Sequence, residues 1–146
     1  MRPMKSLRFV MLLLLLACEP VEDCQLDPNS SEFYLAFSNS PNGSVTFDSI
    51  KNNLFENVFF DADSSFSSIQ LPLTTESNTL TYTFFTDSVD FSLSINYQSR
   101  FNLYGPDCPP SIFYSDLSVV STNFDTAIVV NAEVDRRITE NIEVFF

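Results

Sequence analysis

Residues 89–97 read Val-Asp-Phe-Ser-Leu-Ser-Ile-Asn-Tyr. Val89, Phe91, Leu93, Ile95 and Tyr97 alternate without a break with Asp90, Ser92, Ser94 and Asn96. Successive side chains of a strand leave opposite faces, so this period of two predicts a strand with one buried face and one wet face. A helix would bring apolar residues back every three or four positions instead.

The same pattern recurs on both sides. Asp87-Ser88 supplies a turn, and Thr79–Thr86 before it carries Leu80, Tyr82 and Phe84 on one face. Ser99–Tyr104 extends the first strand after a bend. Gly105–Pro110 holds three prolines, which remove three backbone donors and make a rigid loop. Phe113–Val120 and Thr126–Val134 follow as strands, with Asn123–Asp125 between them; Arg136–Glu140 is polar, and Asn141–Phe146 closes the chain.

Upstream, Phe33, Leu35 and Phe37 alternate within Glu32–Ser38, and Val45, Phe47 and Ser49 continue beyond Asn42-Gly43. Asn-Gly between two alternating runs predicts a hairpin, because both central turn residues need positive φ. Leu54–Phe60 is ambiguous, and Asp61–Ser65 reads as a loop. Ser67–Leu73 is a strand whose Pro72 confines its end to a sheet edge or bulge. The expectation is an all-β chain: a single antiparallel β-sandwich of seven to eight strands over residues 32–146, immunoglobulin-like or of related topology. Fifteen of the sixteen Phe and all five Tyr lie in this stretch to supply its core, without any Trp. The alternating strands and terminal Phe146 also suit an outer-membrane barrel, but Ser, Asn and Asp recur where lipid would demand apolar residues.

Residues 1–17 are different in kind. Arg2, Lys5 and Arg8 precede an apolar run from Phe9 to Ala17. That is the layout of a secretory signal, and the run is about half the ~20 residues a spanning helix needs. Leu15-Leu16-Ala17-Cys18 at its end resembles the bacterial lipobox. The resemblance implies cleavage before Cys18 and fatty chains on its sulfur and amine. Buried acyl chains contribute about 0.8 kcal/mol per CH₂, so several of them anchor a protein to a bilayer. Residues 18–31 then form an acidic, Pro- and Asn-containing tether.

The whole chain has a formal charge of −12, and loss of the three basic residues of the signal brings it to −15. Nucleic acid, which requires a positive surface, is not an expected partner. The absence of His excludes Ser-His-Asp and Cys-His nucleophiles, His-ligated zinc and a histidine pH switch. With Cys18 lipidated, Cys24 and Cys108 remain, and two leftover thiols in an exported chain are expected to pair as a disulfide.

Taken in order, Cys18-Glu19, Asp23-Cys24, Leu71-Pro72-Leu73-Thr74, the strand Asp90–Tyr97, Cys108 and Asn141-Ile142-Glu143-Val144-Phe145 resemble a group of small Bacteroidota lipoproteins whose shared domain has no assigned function. The resemblance spans most of the chain after Cys18 and implies paired cysteines and an all-β domain, with no activity, ligand or catalytic residue. Pro109 follows Cys108 where that group usually carries Gly. The acids Glu19, Glu22 and Asp23 resemble a Bacteroidota surface-export signal. Acids are equally expected in any solvated tether, so the periplasmic face of the outer membrane is favoured over the cell surface.

Other constellations were weighed against their plain readings. Asp61-Ala62-Asp63-Ser64-Ser65 has the spacing of half a calcium loop, but Phe66 and Pro72 stand where an EF-hand needs Gly and Glu, so no metal is expected. Asp87 with Asp90, and Glu133 with Asp135, are carboxylate pairs of the kind that arise by chance among nineteen acids. No enzyme and no cofactor is expected. Asp48-Ser49-Ile50, Asp87-Ser88-Val89 and Asp125-Thr126-Ala127 resemble Bacteroidota O-glycosylation acceptors, at Ser49, Ser88 or Thr126; Asp-Ser and Asp-Thr also simply start turns. Phe101 and Tyr104 are candidate contact aromatics, core burial being their ordinary fate. The expected function is a non-catalytic protein-interaction module of the cell envelope, anchored in the outer membrane, with an envelope protein as partner. The alternative is a small-ligand or carbohydrate-binding lipoprotein.

Overall fold

A computed structural model describes residues 30–39, 44–54, 64–102 and 110–146. Those residues build an all-β protein of ten strands in three sheets, antiparallel except for one pair. The strands are β1 (Glu32–Ser38), β2 (Val45–Phe47), β3 (Ser49–Asn52), β4 (Ser64–Phe66), β5 (Ser68–Pro72), β6 (Thr79–Phe85), β7 (Phe91–Asn102), β8 (Ser111–Thr122), β9 (Thr126–Val129) and β10 (Ile142–Phe145). One sheet runs β5-β1-β10-β9, another β3-β6-β7-β8, and β2 with β4 makes a small ribbon.

The alternation forecast for β7 holds. Leu93, Ile95 and Tyr97 are buried, while Asn96 and Gln98 on the other face are exposed. The inward rows of both four-stranded sheets join one apolar cluster. Phe33, Leu35 and Phe37 of β1, with Ile142 and Val144 of β10, come from one side; Leu80, Tyr82 and Phe84 of β6 come from the other. Rings cross between the sheets: Phe33 meets Tyr82 edge-on at 5.8 Å, and Phe37 meets Phe84 at 6.2 Å. Each buried ring contributes about 1.5–3 kcal/mol by leaving water, and edge-on pairs add about 0.5–1.5 kcal/mol. At one end Phe84, Phe91, Phe124 and Phe146 stack on one another, Phe91 and Phe124 lying at 4.8 Å.

β1 and β10 run parallel, with Leu35 opposite Ile142 and Phe37 opposite Val144. Asn141, 1% exposed, sets that register. Its N–H donates to the Tyr34 carbonyl at 3.0 Å, and its side-chain Oδ1 accepts from the Tyr34 N–H at 2.9 Å. Its Nδ2 donates to the Asn131 and Glu133 carbonyls at 3.2 and 2.8 Å. Its own carbonyl accepts from the N–H groups of Val130 and Asn131. A buried amide is stable only when so satisfied.

β8 carries two irregularities against β7. Between the pairs Gln98–Ser115 and Asn96–Ser118, Asp116 and Leu117 together face Tyr97. Asp116 takes φ 56°, a left-handed conformation that Asp tolerates better than most residues and that a bulge of this kind requires. The bulge lets both Tyr114 and Leu117 reach the core. Val120 is the extra residue of the second bulge.

Several expectations are corrected. The runs on either side of Asn42-Gly43 are not a hairpin: β1 pairs with β10 and β5, and β2 pairs with β4; residues 40–43 lie outside the described ones. The run Val45–Ser49 splits at Asp48, giving its two halves to different sheets, so ten described strands replace seven to eight. The strand expected over Thr126–Val134 stops at Val129 because the chain crosses to the other sheet, where Leu117 N–H donates to the Ala132 carbonyl and Val134 N–H to that of Tyr114. The expected Cys24–Cys108 disulfide is not borne out: among the described residues no disulfide joins the sheets, which are held by apolar packing and hydrogen bonds, and Cys18, Cys24 and Cys108 lie outside the described residues. Pro72, by contrast, ends β5 at the edge of its sheet as expected. The odd-numbered residues of β5 bond to β1, so Pro72 sits where an N–H would point off the edge, and it has none.

Candidate functional site

The strand directions give the molecule two ends. At the first, β1 begins, β5 finishes and β7 runs on toward Phe101. Here the two sheets are clipped by tyrosine hydroxyls. Tyr82 donates to the Pro72 carbonyl, and Tyr97 donates to the Thr74 carbonyl at 2.9 Å while accepting the Thr74 N–H at 3.2 Å. Desolvation pushes both phenols above their ordinary pKa; hydrogen bonds from Asn52 to Tyr82 and from Thr74 to Tyr97 partly oppose it. Burial likewise raises Tyr114, whose ring meets Tyr97 at 5.7 Å.

Past Tyr97 the antiparallel pair of β7 and β8 continues to Asn102 and Ser111. The core-facing row runs Tyr97, Ser99, Phe101, and Phe101 pairs with Ile112 on β8. Tyr97 is 1% exposed and Phe101 is 77% exposed. The contact aromatic singled out from sequence is thus on the surface at Phe101; Tyr104 lies outside the described residues. Arg100 beside it approaches Asp116 at 4.0 Å, an exposed pair of small energetic weight.

At the opposite end, an open depression of about 390 Å³ is lined by Asn39, Asp125, Thr126, Ile128, Phe145 and Phe146. Asn39 turns the chain off β1 with φ 60°. Asp125 and Thr126 come from the turn into β9, and its remaining walls come from β9 and the C-terminal residues. The adjoining edge strands leave large aliphatic side chains in water: Val120 (61%) on β8, Ile128 (47%) on β9 and Val130 (53%) just after it.

The other sequence candidates scatter. Asp87 and Asp90 are exposed in the turn before β7. Glu133 is exposed. Asp135 is gripped by Arg137, whose backbone N–H and Nε donate to its Oδ1 at 2.8 and 3.0 Å and whose Nη2 bridges to Oδ2. Those hydrogen bonds hold the Asp135 carboxyl below its ordinary pKa, the reverse of what a general acid needs. Of the acceptor-like positions, Ser49 is half-buried in β3, Ser88 is exposed in a turn, and Thr126 is exposed at the head of β9. Asp61–Asp63 lie outside the described residues, and Ser64-Ser65 belongs to β4. Among the described residues no group of three or more metal-ligating side chains converges, and no helix is long and apolar enough to cross a membrane.

Sequence reasoning missed Asn141 and the depression. The first looks like an ordinary loop Asn before a strand. The second is assembled from three distant segments, and no local pattern marks it. No curated protein and no solved structure matches the chain. The family described as "Family of unknown function (DUF6452)" matches residues 44–146, from just before β2 to the C-terminal residue, and the chain belongs to that family.

Proposed function

We propose that the protein is a lipid-anchored β-sandwich of immunoglobulin-like character that acts as a non-catalytic interaction module of the cell envelope. Cys18 carries the anchor in the outer membrane, with the domain on its periplasmic side, and the partner is another envelope protein rather than a nucleic acid. The sandwich reading is supported by two four-stranded sheets whose inward rows share one core, and by the parallel pairing of the first strand with the last.

The observation that carries the interaction reading is the exposure of Val120 on β8, Ile128 on β9 and Val130 just after it, along the two edge strands joined by the Asn123–Asp125 turn. Three large aliphatics on adjoining edges are the kind of surface a partner covers. The test is a photo-crosslinking residue at position 128 in living cells, with position 70 on the far edge as control. One adduct of fixed mass from position 128 supports the reading; equal diffuse adducts from both positions overturn it.

A second reading, a small-ligand or carbohydrate binder, is favoured by the depression itself. Asn39, Asp125 and Thr126 offer polar groups beside Phe145 and Phe146, the mixture such ligands need. Binding on a glycan array that is lost with Asp125→Ala, in a chain that yields no protein adduct, would move the assignment to this class.

A further inference from the structure

We infer that Phe101 of β7 and its cross-strand partner Ile112 of β8 form a second contact with the lipid surface to which the chain is tethered. This rests on the anchored reading proposed above and adds an orientation to it.

Three observations place this pair there. First, the described chain begins at Ser30 on the same end of the molecule. Leu73 N–H donates to the Ser31 carbonyl, and the next residue, Thr74, is bonded to Tyr97, two strand positions before Ser99 and four before Phe101. Second, Cys18 lies only twelve residues before Ser30. At about 3.3–3.6 Å per residue that stretch reaches no more than roughly 40 Å, so a lipid at Cys18 keeps this end of the domain close to the bilayer.

Third, the alternation that buries Leu93, Ile95 and Tyr97 puts Phe101 on the same face of β7, and there it is 77% exposed. Phe101 therefore offers a whole ring on the side where Ile112, its cross-strand partner, is also only partly covered. An aromatic and an aliphatic side by side at a rim, with Arg100 adjacent, fit the boundary between headgroups and acyl chains. The acidic body argues for a zwitterionic surface over an anionic one.

The orientation also assigns the other end. Phe91, whose ring meets Phe146 of the depression, lies about 33 Å from Phe101 along β7 at roughly 3.3 Å per residue, so the depression and Val89 beside it point away from the bilayer toward a partner.

The chain has no Trp, so one introduced Trp is a clean reporter. Full-length protein, purified from the envelope with its lipid and reconstituted in phosphatidylcholine vesicles, is compared as Phe101→Trp and Val89→Trp. The expected result is flotation of both with the vesicles, with emission of Phe101→Trp blue-shifted and quenched several-fold more strongly by phosphatidylcholine brominated near the headgroup. Flotation with equal weak quenching of both variants overturns the second contact and leaves the anchor standing. Failure to float, together with a mass lacking acyl groups, overturns the anchor and the contact with it.

Discussion

The Tyr97 hydroxyl and the Thr74 backbone are bonded reciprocally: the hydroxyl donates to the carbonyl at 2.9 Å and accepts from the N–H at 3.2 Å. A single side-chain oxygen on β7 thereby satisfies both polar groups of a residue that has just left the opposing sheet. Tyr82, on the neighbouring strand β6, donates to the carbonyl of Pro72. These hydroxyls close the end of the core at which β1 begins.

Removing either hydroxyl leaves buried peptide groups without a partner, which costs about 1–3 kcal/mol. Tyr97→Phe and Tyr82→Phe are therefore expected to lower the urea midpoint at an unchanged m-value. Tyr97→Phe has the larger effect, because it orphans a donor and an acceptor together. Equilibrium urea unfolding followed by circular dichroism checks this.

Burial raises the pKa of Tyr82, so in alkali the unfolded chain gives up its proton first. The folded state binds more protons over that interval, and stability falls as pH rises. The contribution is fully present below the unfolded value of about 10 and is lost on the way up to the folded pKa. Tyr82 alone then gives a slope of about 1.4 kcal/mol per pH unit above that point. Tyr97, raised for the same reason, adds to it. Thermal melts between pH 9 and 11 should show the decline, with a shallower one in Tyr82→Phe.

Asn141 uses every donor and acceptor it has in joining β1 to the segment before β10. Asn141→Ala is expected to cost about 2–4 kcal/mol, the sum of several orphaned groups. Asn141→Asp is expected to cost more at neutral pH, because a carboxylate would face the Asn131 and Glu133 carbonyls. The order Asp worse than Ala, measured by denaturation at pH 7, is the distinguishing result.

At Asp116 the backbone needs positive φ and the side chain does little, its partner Arg100 standing 4.0 Å off in water. Asp116→Gly should hold or raise stability by up to about 1 kcal/mol, whereas Asp116→Val should lose about 1–2 kcal/mol. The pair of variants, compared by urea unfolding, separates backbone conformation from charge.

What could be read from the sequence follows a physical division. β1, β6 and β7 were legible because half-burial writes itself locally as alternation, and Pro72 was legible because a missing N–H limits where a strand residue can sit. The partners of β1 were not. Its parallel neighbour lies over a hundred residues away, and the contact is fixed by Asn141, which has no local signature. The split of β2 from β3 at Asp48 and the crossing after Val129 are changes of sheet, and a period of two is the same in either sheet. The candidate site divides likewise. Phe101 stood out as an aromatic, but its exposure depends on where the opposing sheet stops. The depression depends on three segments meeting.

The proposed anchor at Cys18 underlies the function and the orientation inferred for the domain, and metabolic labelling tests it most directly. Cells expressing the full chain are grown with labelled palmitate, in parallel with the Cys18→Ser variant. Label in the unaltered protein and none in the variant is the predicted result; an unlabelled protein with Cys18 intact would contradict the account.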